Sequence, residues 1–145
     1  MKTKIATVLF LLFPLFLCAQ TDKPKTPEEV VTLIKKNVTC DWATQTVDNF
    51  KTGDPNTPLK GIAVCMFADM QTLKTAVGKG CNFIITHEPV FYNHLDETAS
   101  FANDPIYNEK AKYIKENNLV IFRFHDHIHM TKPDGISMEI GRAHV

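Results

Sequence analysis

The stretch GIAVCMFADMQTLKTAVGKGCNFIITHEP, residues 61–89, decides the fold. Gly61 to Ala68 is an uninterrupted apolar run of strand length, and such runs, buried on both faces, belong to parallel sheets. Met70, Leu73, Ala76 and Val77 then recur at helical spacing, with Gly78 and Gly80 as a glycine stop. Asn82 to Thr86 is a second buried strand, and Pro89 forbids its continuation.

The same alternation extends downstream. Asp104-Pro105 supplies an N-cap and a first-turn proline, so a helix is predicted from Pro105 to Asn117 with Ile106, the Lys110 stem, Tyr113 and Ile114 on one face. Leu119 to Phe124, LVIFRF, is the third strand. Strand, helix, strand, helix, strand with short connections is a repeated βαβ unit. The fold class is therefore α/β: a largely parallel βαβ sheet with flanking helices. Upstream, Thr26-Pro27-Glu28-Glu29 caps a helix predicted over 27–36, with Val30, Val31, Leu33 and Ile34 inward. ATQTVDNF, residues 43–50, has β-leaning residues but weak alternation, and GDPNTP, residues 53–58, is a turn-rich loop.

A chain of 145 residues, 44% hydrophobic and 22% charged, has the size and composition of one globular domain. Sixteen basic residues balance sixteen acidic ones, so no overall field draws it to nucleic acid or anionic lipid. The expected partner is a small molecule recognised locally. Lys2 and Lys4 precede an apolar run from Ile5 to Leu17, followed by the small residues Cys18 and Ala19. This predicts a signal peptide over residues 1–20 and a secreted or periplasmic protein; the run is too short for a stable membrane span. Acylation of Cys18 is a minor alternative, because Leu17 is bulky for the position before it. Residues 21–27 then form a proline-rich linker, and 28–140 the domain. Cys40, Cys65 and Cys81 lie at wide spacings without a Cys-x-x-Cys, which leaves room for one disulfide and singles out no pair.

Chemistry concentrates where strands end. His87-Glu88 terminates one strand and His125-Asp126-His127-Ile128-His129 follows another, and in open α/β sheets ligands bind outside the carboxyl ends of the strands. Imidazole with carboxylate suits zinc, manganese, iron or nickel, whereas calcium and magnesium take oxygen almost alone. If the second segment stays extended, His125, His127 and His129 point to one side. If it curls, His125 and His129 approach across one turn and His127 swings away. Asp126 is a ligand or the acceptor that orients a histidine N–H. Glu88 ligates, bridges two ions, or serves as the catalytic general base. His94 and His144 are isolated histidines, Asp96 and Glu97 read as surface charge, and Tyr92 as an aromatic packing residue.

FIITHEPVFYNHLDE (83–97), RFHDHIHMTKPDGI (123–136) and TVDNFKTGDP (46–55) together resemble the Nif-three-like family, dinuclear metal-centre proteins often labelled GTP cyclohydrolase 1 type 2 homologues. The resemblance runs from about Glu28 to Gly135 and is nearest to a secreted branch with a THEP motif. It implies an α/β sheet domain, hexameric rings with metals facing an interior cavity, two divalent ions per site, and metal ligands at His87, Glu88, His125 and His129. Family members carry two adjacent histidines in the first motif and His-Thr-x-x-Asp in the second. Here Glu88 replaces a histidine and His129 an aspartate, so the ligand charge is conserved. The family's second half supplies further ligands, so the domain is expected to be incomplete at its C-terminus.

The implied activity is metal-dependent hydrolysis of a nucleotide or phosphoester-like substrate. The alternative is a non-catalytic periplasmic metal-binding or scaffold protein. GKGCNF lacks the spacing of a phosphate-binding P-loop, and residues 125–130 do not complete the His-x-His-x-Asp-His of a metallo-β-lactamase.

Overall fold

The computed structural model of the chain describes residues 23–142. The predicted signal peptide with Cys18, the first two linker residues and His144 lie outside the described residues. Helix α1, Pro27–Asn37, begins where the Thr26 hydroxyl accepts the Glu29 N–H, and it carries Glu28 and Glu29 in its first turn and Lys35 and Lys36 in its last, as the helix dipole favours. Strands β1 (Phe50–Thr52) and β2 (Ile62–Cys65) follow, then helix α2 (Met70–Gly78), capped by Asp69, and strand β3 (Phe83–Thr86). Helix α3 (Pro105–Glu116), capped by Asp104, leads to strand β4 (Val120–Arg123) and helices α4 (Asp126–Met130) and α5 (Gly135–Arg142).

The four strands form one sheet in the order β1-β4-β3-β2, with β2, β3 and β4 parallel and β1 antiparallel on β4. The α/β, largely parallel architecture is as predicted. Two apolar layers hold it. On one face Leu73 and Ala76 of α2 and Ile114 of α3 pack on Ile84 and Ile121; on the other, Val30 and Val31 of α1 pack on Phe83, Val120 and Phe122. Burying a side chain of this size contributes roughly 1.5–3 kcal/mol. Gly53 crosses over the start of β4 with φ +84°, and a Cβ there would lie 2.5 Å from the Leu119 carbonyl oxygen. Only glycine allows that approach.

Register decides where the chemistry falls. Thr86 pairs with both Cys65 and Arg123, so β2, β3 and β4 end level and the segments that follow them emerge side by side.

Three local expectations differ from the structure. The run Gly61 to Ala68 is not buried on both faces: β2 is the edge strand, α1 covers no residue of it, and Val64 is 77% exposed. Leu33 is exposed because it falls on the flank of the stripe formed by Val30, Val31 and Ile34. Ile106 is exposed as well, well round the helix from Ile114, the buried residue of α3. Cys40, Cys65 and Cys81 are all free. No helix among the described residues is long and apolar enough to cross a membrane.

Candidate metal centre

The segment after β4 curls, and a single carboxylate explains why. Asp48, fully buried, accepts the N–H groups of His125 (2.6 Å) and Asp126 (2.9 Å) on Oδ1 and that of His127 (2.9 Å) on Oδ2. Backbone donors with no partner inside so short a helix are satisfied by this one side chain, brought from 77 residues upstream. The curl turns His127 inward. Its Nδ1 donates to Asp48 Oδ2 at 2.7 Å, its Nε2 accepts the Ala43 N–H at 2.9 Å, and its ring stacks on Trp42 with centroids 3.7 Å apart. Both ring nitrogens are thereby occupied, so His127 is a structural residue.

His125 and His129, four apart on α4, face the end of β3. The Nε2 atoms of His87 and His129 are 3.0 Å apart, and the His125 ring centroid lies 4.6 Å from that of His87 and 5.2 Å from that of His129. One nitrogen from each of the three lies within 4.8 Å of the others. A carboxylate faces Nδ1 of every ring: Asp126 Oδ1 on His125 at 3.0 Å, Asp134 Oδ2 on His129 at 2.9 Å, and Glu88 Oε1 near His87 at 3.4 Å. Acidic or carbonyl partners on the outer nitrogen are what hold metal-binding imidazoles in one tautomer, with Nε2 free. His87 Nδ1 is buried and makes no hydrogen bond, with Glu88 Oε1 3.4 Å away. Two nitrogens sharing a tetrahedral zinc at about 2.0–2.1 Å would be separated by about 3.3 Å, close to the 3.0 Å between His87 and His129, and His125 lies within reach to complete the set.

The loop between these elements is tied down from beneath. Arg123, the last residue of β4 and fully buried, donates from Nε to the His87 carbonyl at 3.1 Å and from Nη1 to the His94 carbonyl. Asp96, read above as surface charge, has a buried side chain: it accepts the Phe91 N–H at 2.6 Å and lies 3.4 Å from Lys51 Nζ and 4.0 Å from Arg123 Nη1. The loop folds back over two buried cations, a tertiary arrangement without local sequence signal. Tyr92 packs on Phe101 as expected, with ring centroids 4.6 Å apart.

Of the predicted ligands, the structure brings together His87, His125 and His129. Glu88 sits beside His87 but outside that triad, and the His94 ring lies 5.7 Å from that of His125 with its Nδ1 3.4 Å from Arg123 Nη2. Asp126 is the orienting acceptor. The supporting residues that motif reading missed are Asp48, Trp42 and Arg123. The signals available were the Asp within TVDNF and the chain's single tryptophan.

Electrostatics favour the neutral form of His87. Burial, reinforced by the neighbouring His125, lowers the His87 pKa against the opposing pull of Glu88, so this ring gives up its proton more readily than a free imidazole. Burial pushes the Asp126 pKa up, but hydrogen bonds from the Thr46 hydroxyl (2.7 Å), His125 and the Val47 N–H (3.1 Å) outweigh it and bring the carboxyl down to about 2. A folded-state pKa below the unfolded value stabilises the fold above the unfolded pKa of 3.8, and that contribution disappears as pH falls towards 2. Asp126→Asn should therefore flatten the stability of the metal-free protein between those two values, as read by urea midpoints across pH.

An α/β domain whose parallel strands deliver three carboxylate-backed imidazoles to one point belongs to the class of α/β proteins with a ligand site at the strand ends. The particular family follows from comparison: the model of the family described as Duf34/NIF3 (NGG1p interacting factor 3) matches residues 26–142, and the chain belongs to that family. Among curated proteins, the GTP cyclohydrolase 1 type 2 homologue of Chlamydia pneumoniae is 28% identical over 78 residues, 54% of this chain and 30% of that protein. The homologue of Borreliella burgdorferi is 30% identical over 79 residues, 54% of this chain and 29% of its own. The chain thus spans under a third of the length of these relatives. Reduced HcgD from Methanocaldococcus jannaschii superposes with a TM-score of 0.61 at 20% identity, over 74% of this chain and 42% of that one. A Bacillus cereus protein related to NIF3 superposes with a TM-score of 0.57 at 20% identity, over 71% and 28%. These two likenesses establish the shared fold.

Proposed function

We propose that the chain is a metal-dependent hydrolase domain that holds a divalent ion on His87, His125 and His129 and acts on a phosphoester or nucleotide-like substrate. The observation that carries this reading is the triad itself: three imidazole nitrogens within 4.8 Å, each ring faced on its outer nitrogen by a carboxylate. Three imidazoles leave the fourth position of a tetrahedral ion open, the arrangement of catalytic sites. An ion held there supplies a Lewis acid and brings the pKa of water down to about 7. Glu88, partly exposed beside His87, is the general-base candidate, and Asp126 and Asp134 hold the other two rings in place. The nucleotide-like class rests on what the curated relatives are called. Secretion, implied by residues 1–20, and assembly into a ring of copies belong to this proposal as well.

A second reading, a non-catalytic metal-binding protein, is favoured by the placement of Glu88 towards the outer nitrogen of His87. Turnover separates the two. Purified protein loaded with zinc or manganese should hydrolyse at least one member of a panel of phosphomonoesters, phosphodiesters and GTP, lose that activity to a chelator, and regain it on metal addition. Stoichiometric metal without turnover of any member would assign the second reading. Absence of bound metal would remove both.

A further inference from the structure

A cavity of about 300 Å³ opens beside the triad on the face of the sheet that α1 leaves bare, and His87 lines its end. Val64, Ile85 and Phe124 form its floor, and Ile128 of α4 and Ile136 of α5 form its wall. Apart from His87 and Cys65 every side chain lining it is apolar. Its size is at the lower end of the range for small-molecule sites, roughly 300–1,000 Å³. Three observations coincide there. The cavity shares a residue with the triad, Gly135 closes its α4–α5 corner so tightly that a Cβ would lie 2.7 Å from Ile128, and it opens to solvent past Val64 of β2 and Met66 just beyond that strand.

We infer that the ligand taken at the triad carries an apolar alkyl or aryl group beside its metal-seeking head, and that this group lies in the cavity between β2 and α5. The inference rests on the metal reading above and extends it to the part of the substrate that does not react. The lining recognises an apolar group, since the side chains of Ile85, Phe124 and Ile136 offer no hydrogen-bond partner. A hydrocarbon or phenyl group has nothing to leave unpaired. The substrate class is then an amphiphilic ester with an anionic or polar centre at the histidines and an apolar arm running along β2.

The test uses zinc-loaded protein and a series of hydroxamates from acetohydroxamate to octanohydroxamate, their binding followed by calorimetry. Affinity should rise about threefold per added methylene while the chain fills the cavity. Val64 is exposed, so Val64→Lys leaves the fold and the zinc stoichiometry intact; it should flatten the series and keep acetohydroxamate affinity at the wild-type value. Ile136→Ser, on the opposite wall, should do the same. A flat series in the wild type, or an equally steep one in both variants, overturns the inference while zinc and acetohydroxamate binding leave the metal reading standing. Failure of zinc to bind overturns the metal reading first. A wild type that is dimeric by light scattering, becomes monomeric on Val64→Lys and gives a flat series assigns the face to a second copy and also overturns the inference.

Discussion

Asp48→Ala is expected to cost about 3–5 kcal/mol of folding stability and to abolish metal binding in whatever fraction remains folded. Asp48 is fully buried and accepts four donors: three successive backbone N–H groups of the α4 turn and the Nδ1–H of His127. Removing it leaves those donors in a dry interior, and the His127 ring loses the group that sets its tautomer. The turn that places His125 and His129 across one helical repeat then has no reason to form. Asp48→Asn retains one accepting oxygen and should fall between the wild type and the alanine variant. Urea unfolding gives the stability and metal titration gives the affinity. A variant that loses stability but keeps full affinity would show that α4 forms without this cap.

Arg123→Met should have the next largest effect, on the order of 3 kcal/mol in stability together with a 10–100-fold loss of metal affinity. The guanidinium is entirely buried at the end of β4 and holds the carbonyls of His87 and His94, which no other element supports, while neutralising Asp96 together with Lys51. Methionine fills most of the volume and returns none of the donors. The loop carrying His87 should loosen, and hydrogen exchange at residues 87–96 should quicken by more than at β3. Arg123→Lys keeps a charge without the planar fork and should recover only part of the loss. Unchanged exchange in the loop would show that the β3 ladder alone holds His87 in place.

Periodicity and punctuation carried most of the fold. The apolar runs of β3 and β4, the caps at Thr26 and Asp104, and the helical spacing of Leu73 and Ala76 are local properties, and each element stands within a residue or two of its expected position. The strand ends were legible for the same reason, and so were the histidines that follow them. Lateral position in the sheet was not, since an apolar run reads alike at the edge and in the middle; β2 lies at the edge and exposes Val64. β1 was barely visible because three residues joined to β4 through an irregular register leave no alternation to detect.

The candidate site divides along the same line. Two conformations of residues 125–129 were open from sequence, and the choice between them is made by Asp48, which lies far upstream and reads locally as a polar residue before a strand. The role of His127, left open by the sequence, is decided by Trp42 and the Ala43 N–H, contacts that no local pattern encodes. Asp96 was misread for a similar reason: a carboxylate in a polar loop looks solvated until a buried arginine from β4 is found beneath it. Motif reading supplied the ligand type and the carboxylates beside His87 and His125; tertiary structure supplied Asp134 behind His129 and Asp48 beneath the turn.

The central claim is that the ends of β3 and β4 form one metal site through His87, His125 and His129. Metal content of the purified chain, measured by mass spectrometry of dialysed protein beside the His87→Ala, His125→Ala, His129→Ala and His94→Ala variants, tests it directly. The predicted result is about one divalent ion per chain in the wild type and in His94→Ala, and a sharp loss in each of the other three while they remain folded. Equal metal content in all five proteins, or none in the folded wild type after incubation with zinc, would contradict it.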